Sequence, residues 1–415
     1  MLKIGYIGMS HLGLNMSVGT ALKGFKVYCY DSNKKIINNL NECKLHINEP
    51  NLKESIIKKK KQIVFTNKID ELNNCELVFI SIDIDTDKNG ISDYTLLNNF
   101  LNLANKKLNV KIPLILMSQV FPEFSKKINF KREYYYQVET LIFGKALERV
   151  TNPERIIIGS KNQKISKIYL NFLKRFTKNI IIMNYQSAEL CKIAINCFLM
   201  STLTTTNILA EICEKVDADW IKISESLKLD KRIGKFAYLN PGLGISGGNL
   251  ERDLTTISDL SARVGAFNTI FSNWKKNSSY RKNWVFEKLH QKILINNKKP
   301  LITIWGLAYK DNTHSIKNSP SLELISKIIK HKIVIYDPII KTIKINGKTF
   351  YSKKKIQDSL INTDVLCIMN TSNIFKEIDY GLLTQIKSKL ILDPLNVINN
   401  KKVSPDITII SMGKQ

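Results

Sequence analysis

The sequence predicts an α/β protein with two doubly wound, Rossmann-like domains joined by a long helix and a central helical region. Short apolar runs alternate with helical stretches in the first half of the chain, and a second series of the same kind begins at residue 301. Between the two series, residues 187–215 contain neither Gly nor Pro and carry apolar residues at helical spacing. Such alternation is typical of parallel sheets that are covered by helices on both faces.

The first domain is predicted to span residues 1–186. Its strands are predicted from short apolar runs flanked by polar or turn residues. In chain order these runs are residues 3–7, 26–30, 62–65, 77–81, 113–118, 155–159 and 179–183. Residues 187–215 are predicted as the long helix that leaves this domain.

A glycine-rich segment, residues 240–253, lies in the predicted central helical region, which spans residues 187–297. Its glycines allow the backbone to approach a ligand closely, so we expect a ligand-binding loop here. Helical segments are predicted from residue 253 to residue 289. The second α/β domain is predicted at residues 298–415, with strands at 301–305, 332–336, 365–368, 390–393 and 407–410 and a helix after Pro320.

Charge and composition argue against several classes of protein. The net charge is +27, from 63 Lys+Arg against 36 Asp+Glu, but the only dense run is residues 58–61 and no nucleic-acid-binding motif is found. We therefore expect a basic, solvated surface that attracts anionic nucleotides and no nucleic-acid partner. No apolar segment of about 20 residues is expected, so the chain is predicted to be cytoplasmic with no membrane contact. The seven cysteines are scattered without a Cys-x-x-Cys pair, and neither disulfides nor a metal site are expected.

The turn after the first strand carries a dinucleotide fingerprint. Gly8 and Gly13 frame the turn, Ser10, His11 and Leu12 lie between them, and Asp31 ends the second strand. The glycines suit a tight turn and close helix packing, and a helix N-terminus binds a pyrophosphate. Asp31 would repel a 2′-phosphate, which favours NAD over NADP. Because Ser10 replaces the second glycine, an ordinary tight turn without a cofactor remains the alternative.

The chain resembles the UDP-glucose/GDP-mannose dehydrogenase family along essentially its whole length. The residues that carry this resemblance occur in the family's order. They are residues 152–159, Glu189, Lys192 and Asn196 on the long helix, residues 232–234, the glycine-rich segment, residues 306–313, residues 319–320 and residues 336–338.

The resemblance implies an NAD-binding domain, a central region that forms a homodimer and a C-terminal domain that binds a sugar nucleotide. Family members oxidise a hexose primary alcohol to a carboxylate by two hydride transfers to NAD. In the family's mechanism a cysteine adds to the intermediate aldehyde and forms a thioester, which a carboxylate-assisted water hydrolyses.

The positions that match the family's catalytic motif differ from it in chemistry. Asn249 stands at the cysteine, Glu251 at the proline and Arg252 at the lysine, while Asp253 keeps the aspartate. An amide is a poor nucleophile, so we expect no acyl-enzyme at Asn249. Further departures are Phe143 for a glutamate and Gln119 for a threonine, beside the retained residues Ser118, Glu139 and Leu141.

Other retained residues suit alcohol oxidation. Lys192 and Asn196 are four apart on one helix and can present an ammonium and an amide to one oxygen. Asp253 can accept a proton or hold a water. For the substrate, the resemblance implies contacts from the residues Leu141, Tyr238, Gly242, Gly244 and Lys310, and an arginine, Arg232, that reaches across the dimer interface.

The sequence thus predicts an NAD-dependent oxidoreductase of a nucleotide sugar, most simply a UDP-hexose, with altered chemistry. Oxidation to an aldehyde is the simplest prediction, and a four-electron route without a thioester is the next. The alternative is a non-catalytic protein that binds sugar nucleotides and regulates an active partner.

Overall fold

The computed structural model describes residues 2–87 and 90–414. The chain divides between Ile195 and Asn196 into two compact units.

The first unit is built on an eight-stranded sheet in the order β3-β2-β1-β4-β5-β6-β7-β8. All neighbouring strands are parallel except β6 and β7, which are antiparallel. The order reverses between β1 and β4, where ligands of such sheets bind. The strands are β1 (Lys3–Ile7), β2 (Lys26–Tyr30), β3 (Ile63–Thr66), β4 (Leu77–Ile80), β5 (Leu114–Leu116), β6 (Tyr134–Gln137), β7 (Ile156–Gly159) and β8 (Ile180–Met183).

The central strands of this sheet are buried on both faces. In β4, Leu77 and Phe79 belong to one apolar cluster, and Val78 and Ile80 belong to another. Because successive side chains of a strand point to opposite faces, this strand contributes to a core on each side. The helices are α1 (His11–Leu22), α2 (Lys34–Asn41), α3 (Leu52–Lys58), α4 (Thr95–Lys107), α5 (Ala146–Thr151) and α6 (Lys167–Leu173).

The long helix α7 (Tyr185–Val216) is, among the described residues, the one helix long and apolar enough to cross a membrane. The expectation that no segment reaches this length was therefore wrong. The buried polar side chains of α7 are used inside the fold. Glu189 accepts hydrogen bonds from the backbone N–H groups of Glu123 and Ser125 at 2.7 and 2.8 Å, and Asn207 accepts one from Gly242 at 2.8 Å. These contacts bind one side of α7 to the fold.

The second unit contains a five-stranded parallel sheet in the order β10-β9-β13-β14-β15 and a separate hairpin, β11-β12. The sheet's order reverses between β9 and β13. The strands are β9 (Leu301–Trp305), β10 (Lys332–Tyr336), β11 (Thr342–Ile345), β12 (Lys348–Tyr351), β13 (Val365–Ile368), β14 (Leu390–Leu392) and β15 (Thr408–Ile410). The helices are α8 (Trp220–Leu229), α9 (Gly248–Arg263), α10 (Thr269–Lys282), α11 (Trp284–Leu289), α12 (Pro320–Lys327) and α13 (Asn373–Lys376).

The predicted fold class, with two doubly wound sheets and a long helix between them, is confirmed. Most predicted strands begin or end within one or two residues of the observed ones. Strand β6, helix α8 and the β11-β12 hairpin were not predicted. The glycine-rich segment ends earlier than expected, because α9 begins at Gly248.

Candidate active site

The turn between β1 and α1 has the conformation that a dinucleotide cradle needs. Gly8 has φ +93°, and its N–H donates a 2.9 Å hydrogen bond to the carbonyl of Tyr30. A Cβ atom on Gly13 would lie 1.8 Å from the carbonyl oxygen of Gly8. The helix therefore packs directly against the turn, and both positions require glycine.

Asp31, at the end of β2, is fixed beside this turn. It is 8% exposed, and its carboxylate accepts hydrogen bonds from the backbone N–H groups of Met9 and Asn33, both at 2.8 Å. A carboxylate has about four acceptor positions, so both oxygens keep capacity for a ribose hydroxyl pair. The turn and Asp31 together fit the ribose and pyrophosphate of NAD.

Asp83 occupies part of the same cradle. Its carboxylate accepts a 3.2 Å hydrogen bond from the N–H of Leu12 in the first turn of α1, and its N–H donates to Ser10 Oγ at 2.9 Å. The neighbouring N–H of Ile82 donates to the hydroxyl of Ser118 at 3.0 Å. The predicted cofactor residues Ser10, Leu12 and Ser118 are thus brought together by the segment that follows β4.

His11 links this turn to the segment before α5. Its Nε2 lies 2.9 Å from the carboxylate of Glu49, and the centre of its ring lies 4.1 Å from the centre of the Phe143 ring. Glu49 also accepts hydrogen bonds from the N–H groups of Gly144 and Ala146 at 3.1 and 2.8 Å. Burial raises the pKa of Glu49, but the hydrogen bonds from His11, Ala146 and Gly144 outweigh it and lower the pKa overall.

Glu139 and Lys192 form an ion pair in the first unit. The ammonium of Lys192 lies 3.2 Å from the carboxylate of Glu139, and both side chains are largely buried. The backbone N–H of Leu141 donates to the same carboxylate. A buried cation held by one carboxylate can still donate its other N–H groups, because an ammonium has three donors.

Asn196 and Asp253 form a buried pair in the second unit. The amide of Asn196 donates to the carboxylate of Asp253, which is 1% exposed and also lies 3.3 Å from the guanidinium of Arg252. Cys197 follows Asn196, and burial and the charge of Asp253 raise its pKa to about 11. The thiol of Cys197 therefore stays protonated at neutral pH and is a weak nucleophile.

The glycine-rich segment is held tightly by its neighbours. Gly244 has φ +73°, and a Cβ there would lie 2.4 Å from the carbonyl of Ser278. Gly247 has φ +79°, and a Cβ there would lie 2.7 Å from the ring of Tyr309. The N–H of Gly242 is held by Asn207. This packing requires glycine even without a ligand.

Asn249 differs from its expected setting. It lies in the first turn of α9 rather than in a loop, and its side chain is exposed. It stands one helical turn before Asp253, so the two residues share a face of the helix. Glu251, on the same turn, binds Lys282 at 3.0 Å and the amide of Asn318.

The remaining predicted substrate residues are distributed over the second unit. The side chain of Arg232 is 89% exposed and pairs with Asp230 at 2.6 Å, and Tyr238 is 46% exposed. Lys310 follows β9, and its ammonium lies 5.7 Å from the centre of the Tyr309 ring.

The turn after β9 repeats the design of the turn after β1. Gly306 has φ +88°, its N–H donates to the carbonyl of Tyr336 at 2.9 Å, and Asp337 accepts a 2.7 Å hydrogen bond from Leu307. This turn lies where the order of the five-stranded sheet reverses, which is the binding edge of such a sheet.

Comparison with known proteins identifies the family. Three domain models of the UDP-glucose/GDP-mannose dehydrogenase family match the chain: the NAD-binding domain at residues 2–177, the central domain at residues 186–278 and the UDP-binding domain at residues 303–400. The chain belongs to this family. The predictions of the family, of an NAD-dependent dehydrogenase and of NAD as its cofactor are confirmed.

Individual relatives are distant in sequence and similar in length. The chain is 27% identical to the UDP-glucose 6-dehydrogenase TuaD of Bacillus subtilis, covering 96% of this chain and 90% of the relative. It is 26% identical to the UDP-N-acetyl-D-mannosamine dehydrogenase of Methanococcus vannielii, with 99% and 97% covered. The solved UDP-glucose dehydrogenase of Pyrobaculum islandicum has a TM-score of 0.81 at 20% identity, with 97% and 98% covered, and this likeness shows the fold.

Sequence reasoning missed two residues that shape this dehydrogenase. Asp83 follows β4 in a segment that matches no motif, and spacing along the chain does not predict its contact with Leu12. Glu49 lies in an irregular segment far along the chain from residues 144–146, and no sequence signal identifies it.

Proposed function

We propose that this chain is an NAD-dependent oxidoreductase of a UDP-hexose that oxidises the primary alcohol and releases the aldehyde. The observation that carries the proposal is the buried Asn196–Asp253 pair one helical turn from Asn249. This pair keeps the polar groups that suit alcohol oxidation, whereas residue 249 offers no thiol. The two relatives named above act, by their names, on UDP-glucose and on UDP-N-acetyl-D-mannosamine, which supports a UDP-hexose substrate.

In the proposed reaction, the polar residues handle the proton and the charge of the substrate oxygen. Asp253 accepts the hydroxyl proton, while the amide of Asn196 donates a hydrogen bond to the oxygen. One such donor stabilises a developing negative charge by about 3 kcal/mol. Bound NAD supplies the hydride acceptor.

The second half of the family's reaction lacks its nucleophile. Asn249 is an amide, and the thiol of Cys197 is disfavoured by its raised pKa of about 11. No thioester is therefore formed in the proposed route, and the aldehyde leaves after one hydride transfer.

Product stoichiometry tests this proposal. With UDP-glucose and with UDP-N-acetyl-mannosamine, we expect one NADH per nucleotide sugar consumed and an aldehyde that a hydroxylamine reagent traps. Two NADH per sugar and a carboxylate product would contradict it.

The Asn249→Cys variant tests the role of the missing thiol. We expect a shift of product toward the carboxylate and a mass increase of the enzyme during turnover, because a thiol on the first turn of α9 can add to the aldehyde. Cys197→Ser is the matched control and leaves the product of either protein unchanged. If adding Cys197→Ser to the Asn249→Cys variant abolished the carboxylate product, Cys197 would instead be identified as the nucleophile.

The non-catalytic alternative conflicts with the match of residues 2–177 to the family's NAD-binding domain, and its structural support is the hydrogen bond that Asp83 accepts from Leu12 at the start of α1. It predicts that calorimetry detects a UDP-hexose but no NAD. Saturable NAD binding in the micromolar range rules it out.

A further inference from the structure

A second cleft opens on the first unit, away from the fingerprint turn. It has a volume of about 660 Å³ and lies outside the carboxyl ends of β7 and β8. Strands β1 to β6 are parallel to one another, and β7 runs antiparallel to β6. The carboxyl ends of β7 and β8 therefore lie at the opposite end of the strands from the turn that contains Gly8. The volume is in the range of sites for small metabolites.

The cleft is lined predominantly by positive charge. Lys126, Lys161 and Lys164 line it, and Arg132 adds a guanidinium that is fixed by the carbonyls of Asn105 and Leu108. Glu133 is the acidic side chain among the lining residues, and it accepts a 3.0 Å hydrogen bond from the hydroxyl of Tyr135. The excess of cations favours an anionic ligand.

Ser160 provides a buried polar group at the base of this cleft. The residue is 1% exposed and lines the cleft, and its hydroxyl has no hydrogen-bond partner among the described residues. A buried hydroxyl without a hydrogen-bond partner is energetically costly, so such groups are normally satisfied. A ligand oxygen in the cleft would satisfy it.

The start of α7 forms the remaining wall. A Cβ on Gly159, the last residue of β7, would lie 3.1 Å from Cα of Tyr185 and 2.9 Å from Cβ of Ala188. The strand end is therefore pressed against the first turn of this 32-residue helix, and Tyr185 and Gln186 line the cleft. The positive end of a long helix adds to the attraction for a phosphate.

We infer that this cleft binds the phosphate group of a small phosphorylated molecule. The Ser160 hydroxyl donates to a phosphate oxygen, and the lysine side chains close over the remaining charge. The site and the dinucleotide cradle lie at opposite ends of the strands of this sheet. Binding at this site is independent of the reaction proposed above.

Calorimetric titration with inorganic phosphate and with AMP tests the inference. We expect saturable binding at one site per chain that persists in the presence of saturating NAD and UDP-glucose. The Ser160→Ala variant is expected to bind about tenfold more weakly, the effect of losing one hydrogen bond to a charged group. Its unfolding midpoint is expected to stay the same or rise, because the lost hydroxyl had no partner in the fold.

The affinity of the Lys161→Ala/Lys164→Ala variant for phosphate is expected to fall at least tenfold at low salt. Lys58→Ala/Lys60→Ala, which removes the same charge from the end of α3 and the turn after it, is the matched control and is expected to bind phosphate normally. Equal binding by both double variants, or displacement of phosphate by NAD, would overturn the inference.

Discussion

At the scale of single residues, the carboxylate of Asp83 is the unusual feature of the cofactor end. It accepts a hydrogen bond from the N–H of Leu12 in the first turn of α1, where the fingerprint predicts that a pyrophosphate binds. An anion already stabilised at a helix N-terminus must give up this interaction, worth about 0.3–1 kcal/mol, before NAD binds, and its charge repels the pyrophosphate. We therefore expect Asp83 to weaken NAD binding, although its hydrogen bonds to Leu12 and Ser10 organise the turn.

The Asp83→Asn variant tests this effect. The backbone hydrogen bond from residue 83 to Ser10 is retained, while the negative charge is removed. We expect the Kd for NAD to fall about three- to tenfold, as measured by calorimetry or by quenching of protein fluorescence. Asp85→Asn removes an exposed charge from the same segment and is expected to change the Kd by less than about twofold. Weaker NAD binding by Asp83→Asn would show that the carboxylate serves the cofactor.

Glu49 stabilises the first unit in its charged form. Its folded-state pKa is lowered, because the hydrogen bonds from His11, Ala146 and Gly144 outweigh burial. The charged carboxylate therefore makes its full contribution to the free energy of unfolding at neutral pH. This contribution is lost as the pH falls through the acid range below the ordinary pKa of 4.5.

The Glu49→Gln variant is expected to lose about 1–3 kcal/mol of unfolding free energy at pH 7, because an amide cannot accept all these hydrogen bonds as a carboxylate does. Denaturant unfolding at several pH values measures this, and the deficit should shrink as the pH falls below 4.5. Glu54→Gln, an exposed carboxylate in the first turn of α3, is the control and should cost less. A deficit that is constant with pH would contradict the assigned charge state.

At the scale of elements, α7 presents a strip of apolar side chains that are exposed in the part of the chain that the structure describes. Positions 198, 202, 205, 209, 212 and 216 alternate steps of four and three residues, the spacing that places side chains along one side of a helix. The apolar members are Phe198, Leu209, Ile212 and Val216, which are 77%, 39%, 47% and 63% exposed. This strip supports the predicted homodimer.

If the predicted dimer uses this strip, Ile212→Glu is expected to convert it to a monomer at micromolar concentration, because burying a new charge at an interface is costly. Analytical ultracentrifugation measures this directly. Ile57→Glu introduces the same side chain at an exposed apolar position of α3 and should leave the association state unchanged. A wild-type protein that sediments as a monomer would refute the predicted dimer.

The elements that were predicted and those that were missed differ in physical character. Strands such as β1, β4 and β9 are largely apolar runs buried on both faces, so the local sequence is sufficient to predict them. Strand β6 consists of three tyrosines and a glutamine, and the β11-β12 hairpin alternates buried and exposed residues. The start of α9 was hidden because its N-cap is Gly247 and its first residue is Gly248.

The candidate site was predictable where one segment contains the signal. Gly8, Gly13 and Asp31 follow a spacing set by one strand-helix-strand unit, and the structure places all three at the turn between β1 and α1. The contacts of Glu49 with Gly144 and of Asp83 with Leu12 join segments that are far apart in sequence. Such contacts depend on tertiary packing, which no local pattern encodes.

At the scale of the whole molecule, both sheets use the same turn to present a binding edge. Gly8, Tyr30 and Asp31 in the first unit correspond to Gly306, Tyr336 and Asp337 in the second. In each case a positive-φ glycine ends the first strand, and an aspartate after the neighbouring strand binds the turn's N–H groups. Two nucleotide-type ligands, NAD and a sugar nucleotide, suit this arrangement.

The overall charge of +27 gives this chain a second, less specific means of attracting these anionic ligands. Long-range attraction raises the rate of encounter and is screened as the Debye length falls from about 30 Å at 0.01 M salt to about 10 Å at 0.1 M. We expect kcat/KM for the sugar nucleotide to fall several-fold between these salt concentrations while kcat changes little, because chemistry within the bound complex is screened less. Steady-state kinetics in NaCl, with sucrose as an uncharged solute control, measures both. An equal fall in kcat and kcat/KM would show that salt affects the enzyme after the substrate has bound rather than the rate of encounter.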